Sequence, residues 1–391
     1  MQGFKLLAKI IIAIILGIAL GSFVPEWSIR IFATFNDLFG SFLGFVIPLI
    51  ILGFIAPGIG SLGRGAGKLL GITGAVAYLS TIVAGIVALL VAKGLYPIML
   101  KGQSAADLTD PSEGLVSGYL ELDIAPPLEV MTALILAFVI GLGIAAIKGD
   151  TLLNMMNEFR DIVQLVIEKV IIPLLPFHIF GIFANMTFAG QVSTIISVFA
   201  KVFAMILVLH MLYLIFLYLM AGTLSRENPF AMLKTMSPAY FTALGTQSSA
   251  ATIPVTLESA KKLKLRGDVA DFTIPLLANI HLAGSTITLV SCALAVMFIQ
   301  GDVASLSKMI PFILVLAVTM IAAPGVPGGA VMAAIGLLES MLHFGPAMVS
   351  LMIALYLAQD SIGTACNVTG DGAITSITNS ISKRKNITEE T

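Results

Sequence analysis

Charged side chains are scarce in this chain of 391 residues, since Asp, Glu, Lys and Arg make up 11% of it and hydrophobic residues 58%. Soluble domains carry about 25% charged residues, so the composition excludes a soluble globular protein and indicates an integral membrane protein. The net charge of −1 gives no basis for a nucleic-acid or polyanion partner.

Cysteine is almost absent too, and both Cys292 and Cys366 lie in apolar segments. Two such residues do not support a disulfide framework or a structural zinc site. The four histidines lack the mutual spacing of a metal-binding set, which argues against a transition-metal centre. They are His178, His210, His281 and His343.

Apolar stretches long enough to cross a hydrocarbon core of about 30 Å recur along the chain. The first is interpreted as a membrane helix rather than a secretory signal, because multispanning sequence follows it at once. The first six predicted helices cover residues 4–24, 30–60, 68–96, 127–147, 159–187 and 193–222.

Two later apolar segments, 230–262 and 308–341, are interrupted near their middle by small polar and turn-forming residues. Non-helical backbone at membrane depth survives only where protein or a water-filled cavity satisfies it, so each segment is predicted to be a re-entrant helical hairpin. Ordinary surface loops between short helices are the alternative, which the apolar arms disfavour. A long predicted helix follows each hairpin, at 268–298 and 346–380. The pattern predicts inverted repeats with a binding site at the midplane, in an all-α polytopic membrane protein of eight transmembrane helices plus two re-entrant hairpins.

Basic residues cluster at the start of the chain, after the first hairpin and at the end. The positive-inside rule then predicts a multi-pass protein of the cell (plasma or inner) membrane with both termini in the cytoplasm. The first hairpin would enter from the cytoplasm and the second from outside. The basic residues are Lys5, Lys9, Lys261, Lys262, Lys264, Arg266, Lys383, Arg384 and Lys385.

Four polar residues interrupt the last apolar run at spacings of four, three and four: Asp360, Thr364, Asn367 and Asp371. At roughly 100° per helical residue they share one narrow face. A carboxylate at mid-bilayer costs about 2.5–3.5 kcal/mol on insertion scales, so two on one face need partners. A bound cation, a substrate ammonium or a water-filled cavity would serve. We therefore expect the function to reside on this face.

At this point the sequence resembles the dicarboxylate/amino acid:cation symporter family, the glutamate-transporter homologues, along nearly its whole length. Four blocks in order carry the resemblance: QSSAATIP at 247–254, NIHLAGS at 279–285, GVPGG at 325–329 and QDSIGTACNVTGD at 359–371. The resemblance implies a homotrimer, moving cargo by an elevator mechanism. It implies that residues 1–222 form mainly scaffold and trimerisation helices, and that residues 223–385 form the transport core. Within the first range, about 68–96 and 193–222 would belong to the transport domain.

The resemblance also implies roles for individual residues, carried over by position. Asp360 would accept the substrate α-ammonium, and Asn367 with the backbone amide of Ser249 would hold the α-carboxylate. The implied substrate-binding set is Gln247, Ser248, Ser249, Ser285, Val326, Pro327, Gly328, Gly329, Ala330, Asp360, Gly363, Thr364 and Asn367. The implied sodium-binding set, largely backbone carbonyls, is Asn279, His281, Leu282, Met320, Ile321, Ala323, Asn367 and Asp371. Sodium prefers such hard oxygen ligands, and no organic cofactor is implied.

Two departures from the family concern the substrate. Members that take acidic substrates have an arginine near Gly363, and serine/threonine-type members have one at the position of Gln247. Arg266, predicted to lie in a cytoplasmic loop, is the only arginine between 236 and 380. An acidic side chain would be desolvated without a cation beside it. We therefore expect a neutral amino acid such as serine, threonine or alanine, with an acidic amino acid or dicarboxylate as the alternative.

The other departures concern the ions. Ala283 replaces the family's aspartate at a third sodium site, which weakens that site even though Ser80 and Thr81 could still supply oxygens. His281 replaces an asparagine, and histidine titrates near neutral pH. One hypothesis is that its protonated ring replaces a cation in a proton-coupled carrier. The alternative is a neutral histidine hydrogen-bonded to a carbonyl.

An ion channel and an intramembrane hydrolase are the alternatives to a symporter. An ion channel lined by the polar face needs no stereospecific pockets, so saturable uptake with a stereochemical preference would exclude it. A hydrolase is rejected, because Asp360 and Asp371 are about 16 Å apart along a helix and no histidine or lysine stands at a recognisable spacing from a serine.

Overall fold

Helices form nearly all of the computed structural model, which describes residues 2–64, 68–100, 115–120, 122, 124–190, 192–263, 265–302, 304–321, 323 and 327–384. No strand occurs in those ranges. The first helices are α1 (Gln2–Gly21), α2 (Glu26–Arg64), α3 (Lys68–Met99), α4 (Val130–Ala146), α5 (Thr151–Val166), α6 (Ile172–Phe188) and α7 (Val192–Ser225); a π-helical turn, Ile167–Ile171, joins α5 to α6. The later ones are α8 (Pro229–Thr235), α9 (Ser237–Thr246), α10 (Ser249–Lys261), α11 (Gly267–Ile280), α12 (Ala283–Ile299), α13 (Leu306–Met320), α14 (Gly329–Leu342) and α15 (Pro346–Arg384).

Among the described residues, six helical segments are long and apolar enough to cross a membrane. Four shorter apolar helices lie in α1, α4, α13 and α14. This helical content confirms the predicted class, an all-α polytopic membrane protein. The six segments are Glu26–Gly60, Lys68–Met99, Thr151–Phe188, Ile196–Ser225, Gly267–Ile299 and Pro346–Lys383.

The helices form two neighbourhoods. In one, α2 packs against α4, α5 and α6, and α1 packs against α6. In the other, α12 and α15 pack against each other and against α3 and α7. The polar face of α15 therefore lies among α3, α7 and the C-terminal helices.

The first hairpin consists of α8, α9 and α10, and local chemistry explains its turns. The Asn228 side chain accepts from two first-turn amides of α8, and Pro229 stands at a helix start, where its missing N–H costs nothing. Gln247 ends α9 in the left-handed conformation, with φ 53°. Ser248 then caps α10 by accepting from the amide of Ala251. The predicted interruption within 247–254 is a turn of two residues, Gln247 and Ser248, between the antiparallel arms α9 and α10.

The second hairpin consists of α13 and α14. Ser305 caps α13 by accepting from the Lys308 amide. Gly328 precedes α14 with φ 78°, and a Cβ there would lie 2.9 Å from Leu357 Cδ2. Glycine therefore suits this position for both its backbone conformation and its small size.

Three expectations need correction or restriction. The helix predicted from residue 159 begins at Thr151. The helix predicted at 268–298 is interrupted at His281 and Leu282, between α11 and α12. Asn279 itself is helical, and its exposed side chain donates to the Pro275 carbonyl. Val326, a member of the implied substrate-binding set, lies outside the described residues.

Candidate functional site

The polar face of the last helix is fully enclosed. Asp360, Thr364, Asn367 and Asp371 lie on α15 with relative exposures of 4%, 5%, 1% and 1%. Their spacing and burial match the prediction. Buried carboxylates require hydrogen-bond donors or cations, so their neighbours determine what the site can bind.

The Asp360 carboxylate lies beneath the second hairpin. Its Oδ2 accepts a 2.7 Å hydrogen bond from the Gly328 amide. The hydroxyls of Tyr356 and Thr364 also approach this carboxylate. Because the amide is at the hairpin tip, Asp360 links α15 to the residues that precede α14.

Asn367 is held by the start of α12. Its Oδ1 accepts from the Gly284 amide at 2.7 Å and the Ser285 amide at 3.3 Å. These bonds direct Nδ2 towards Ser285 Oγ, 2.9 Å away, which also accepts from the Tyr356 hydroxyl at 3.1 Å. A Cβ on Gly284 would lie 2.4 Å from the Gly363 carbonyl oxygen, so the two helices touch at this glycine.

The tip of the first hairpin is cross-linked by side chains. Thr252 Oγ1 donates to the Ser248 carbonyl at 2.8 Å and lies 2.9 Å from Thr246 Oγ1. Ser249 is the first residue of α10, whose first-turn amides lack intrahelical partners and favour an anion. Gln247 is buried, and its Nε2 has no hydrogen-bond partner in the described part of the chain.

His281 lies in the helix break, between Asp371 and Ser80. Tyr213 donates its hydroxyl proton to the Ser80 carbonyl at 2.6 Å, so the 2.9 Å contact between the two hydroxyls uses the Ser80 proton. Ser80 Oγ can then only accept from His281 Nε2, 2.9 Å away. His281 Nδ1 lies 2.9 Å from Asp371 Oδ1. The expectation of a carbonyl partner for His281 was wrong: its partners are a hydroxyl and a carboxylate.

The remaining residues of the expected sodium set lie near helix ends. Met320 ends α13, and its carbonyl accepts from the Ala323 amide at 3.4 Å. Ile321 is the residue after that helix, and Leu282 precedes α12. Thr81 Oγ1 donates to a carbonyl of its own helix at 3.0 Å. No cluster of three or more His, Cys, Asp or Glu that could hold a metal ion is found where the chain is described.

Among the described residues of the site there is no arginine. Arg266 precedes α11 and pairs with Asp268 in its first turn. Asp360, Asp371 and His281 are buried near the α12–α15 contact, and His210 reaches the Gly284 carbonyl there from α7. A ligand with a positive group therefore finds carboxylate, whereas an acidic side chain finds no guanidinium.

The predicted site residues did not include three residues that the structure places in this network. Tyr356 precedes Asp360 by four residues and so lies on the same helical face, which was a usable signal. Tyr213 and His210 lie in α7, and His210 Nε2 donates to the Gly284 carbonyl at 2.9 Å. An ionisable residue within an apolar helix is by itself a pointer to function.

Two comparisons with known proteins gave matches along almost the whole chain. A family model described as the sodium:dicarboxylate symporter family matches residues 6–381. Serine/threonine transporters named SstT, from three strains of Acinetobacter baumannii, are 29%, 30% and 29% identical to this chain over 382 residues. The matches cover 94% of this chain and 94% of each relative.

Proposed function

Because the chain belongs to the sodium:dicarboxylate symporter family, we propose that it is a secondary active symporter that couples sodium to the import of a small neutral L-amino acid. Serine, threonine and alanine are the expected substrates. The main structural support is a buried carboxylate, Asp360, in a site without arginine. The relatives named serine/threonine transporters support the same substrate class.

The amino-acid backbone accounts for the polar groups of the site. The ammonium would bind Asp360, replacing or sharing the hydrogen bond from Gly328. The α-carboxylate would bind the second N–H of Asn367 Nδ2 and the first amides of α10, beginning at Ser249. A small hydroxyl or methyl side chain would lie towards Ser285 and Thr364.

Sodium would be bound by oxygen near the helix break and the end of α13. One oxygen of Asp371 is already engaged by His281, so this carboxylate offers fewer free lone pairs to a metal. Ala283 offers no carboxylate at all. We therefore expect fewer sodium ions per substrate than in family members with the aspartate.

The remaining features follow from family membership. The protein would be a homotrimer with cytoplasmic termini, and α3, α7 and the helices from α8 onwards would move together past the scaffold helices. The packing of α3 and α7 against α12 and α15 supports this division. As a transporter, the protein would lie in a membrane in contact with lipid, and it would not act as an enzyme.

A thermal-shift screen tests the substrate. The purified protein is heated with each of the twenty amino acids in sodium and in potassium, because a ligand of the folded state raises the melting temperature. We expect sodium-dependent shifts from serine, threonine or alanine. A sodium-dependent shift from aspartate without one from serine or alanine would overturn the neutral assignment.

Uptake into proteoliposomes tests the mechanism. Saturable, stereoselective, sodium-dependent uptake is expected, whereas non-saturable flux without stereochemical preference would favour a channel. The same assay at several pH values, with and without sodium, tests the proton-coupled alternative that involves His281. Full sodium dependence unchanged by pH would remove that alternative.

A further inference from the structure

His210 lies fully buried in α7, at the end of the helix break nearer α12. Its Nε2 is 2.9 Å from the Gly284 carbonyl oxygen, which can only accept, so Nε2 carries the proton. Thr288 Oγ1 also donates to this carbonyl, more weakly, at 3.3 Å. The imidazole thus ties α7 to the first turn of α12.

The bonded carbonyl shares a peptide plane with the Ser285 amide. That amide donates to Asn367 Oδ1 at 3.3 Å, on the opposite edge of the plane. His210 and Asn367 therefore hold one peptide group from its two sides. Hydrogen bonds in such chains strengthen one another, so the donor on the carbonyl reinforces the bond to Asn367.

We propose that His210 is a positioning residue for substrate binding, acting through the Gly284–Ser285 peptide on the amide orientation of Asn367. The inference rests on the proposed role of Asn367 in holding the α-carboxylate. With Oδ1 fixed by two amides and one N–H of Nδ2 directed at Ser285, the second N–H is pre-oriented for an anion. Without the donor on Gly284, the peptide can tilt and the amide loses that orientation.

The second nitrogen of the ring supports a specific role. His210 Nδ1 has no hydrogen-bond partner among the described residues although it is buried. A buried acceptor without a partner is destabilising. An apolar side chain of similar size would fill the same space without that cost, so packing alone does not explain a histidine here.

The test compares three substitutions that differ in their donor. In His210→Gln, the side-chain Nε2 stands about as far from Cα as the imidazole Nε2 and can reach Gly284. In His210→Asn, the amide is one bond too short, and His210→Leu has no donor. His343→Asn is the control, because His343 is exposed at the end of α14 in a left-handed conformation that asparagine tolerates.

Equilibrium binding of radiolabelled L-serine in sodium is measured together with the melting temperature of each ligand-free protein. We expect the Leu and Asn variants to bind L-serine about two- to tenfold more weakly, which is the range for one net hydrogen bond. The Gln variant and the control should match the wild type. If the Leu variant does not fold, the Gln and Asn variants decide the outcome.

Equal affinity of the Gln and Asn variants would overturn the inference. A loss of L-serine affinity that follows the loss of melting temperature of the ligand-free protein across all variants would also overturn it. A merely structural role of His210 predicts that result. A wild-type protein that does not bind L-serine would instead count against the proposed substrate. The same variants would then be compared with the amino acid that the thermal-shift screen identifies.

Discussion

Replacing Asp360 with asparagine separates charge from shape at the centre of the proposed substrate site. The carboxylate is 4% exposed, and its Oδ2 accepts from the Gly328 amide at 2.7 Å. An asparagine Oδ1 can accept the same bond, so the contact between α15 and the hairpin tip is retained. The negative charge that would face the substrate ammonium is lost.

The magnitude follows from leaving one member of a buried ion pair without its partner. Such a loss costs about 3–5 kcal/mol, which is roughly a 10²- to 4 × 10³-fold fall in affinity. We expect Asp360→Asn to bind L-serine that much more weakly, with no detectable uptake. Equilibrium binding of labelled L-serine, with melting temperature as the measure of folding, checks the prediction.

Two comparisons make the result specific. Asp371→Asn, on the same helical face, should raise the sodium concentration needed for half-maximal binding, while retaining L-serine affinity at saturating sodium. The second uses 3-hydroxypropionate, which is serine without its ammonium. This ligand should bind the wild type and Asp360→Asn about equally weakly. Removing the ammonium from the ligand and removing the carboxylate from the protein abolish the same interaction, so the two losses of affinity are not additive. Wild-type serine affinity in Asp360→Asn would refute the ammonium role.

The remaining predictions concern packing and the polar network. Gly284→Ala should destabilise the protein by about 1–3 kcal/mol through overpacking. Gly363→Ala, across the same contact, should be tolerated because its Cβ would meet its nearest neighbour at 3.5 Å. Equal melting temperatures for the two variants would contradict this prediction. Ser350→Ala should destabilise by about 1–3 kcal/mol, because it removes the 2.8 Å partner of His178 Nε2; chemical denaturation measures it, and an unchanged unfolding midpoint would count against it. Tyr213→Phe should raise the sodium concentration needed for half-maximal uptake several-fold, because the His281 network loses the Tyr213 hydroxyl. An unchanged sodium titration would contradict that role.

Sequence reasoning worked best where a period or a breaker residue was decisive. The stripe on α15 was readable because helical periodicity places residues separated by three or four positions on one face. The turn at Gln247 and Ser248 and the glycine-rich tip before α14 were readable because small polar and turn-forming residues interrupt otherwise apolar segments there. The start of α5 was missed because residues 154–161 are mostly polar. The helices were predicted from long apolar runs, and such a search overlooks a polar segment that can still form a helix.

Pairings across long sequence separations could not be derived in the same way. His281 and Asp371 are 90 residues apart, and their contact depends on how the helix break packs against α15. The resemblance placed His281 and Asp371 together in the sodium-binding set, but it did not indicate that the His281 ring would face the carboxylate. His210 could have been flagged as a histidine in an apolar helix, but its acceptor is a backbone carbonyl, which no side-chain pattern reveals.

Charge balance in the enclosed site links substrate choice to ion coupling. Two buried carboxylates need positive partners, and His281 lies against only one of them, Asp371. A zwitterionic amino acid would bring an ammonium to Asp360 but also a carboxylate, so it leaves the net charge of the site unchanged. A co-transported sodium ion adds the positive charge that an enclosed site of this kind lacks, and low dielectric makes that contribution large. An acidic side chain would add one more negative charge, and only a further cation or an arginine could offset it.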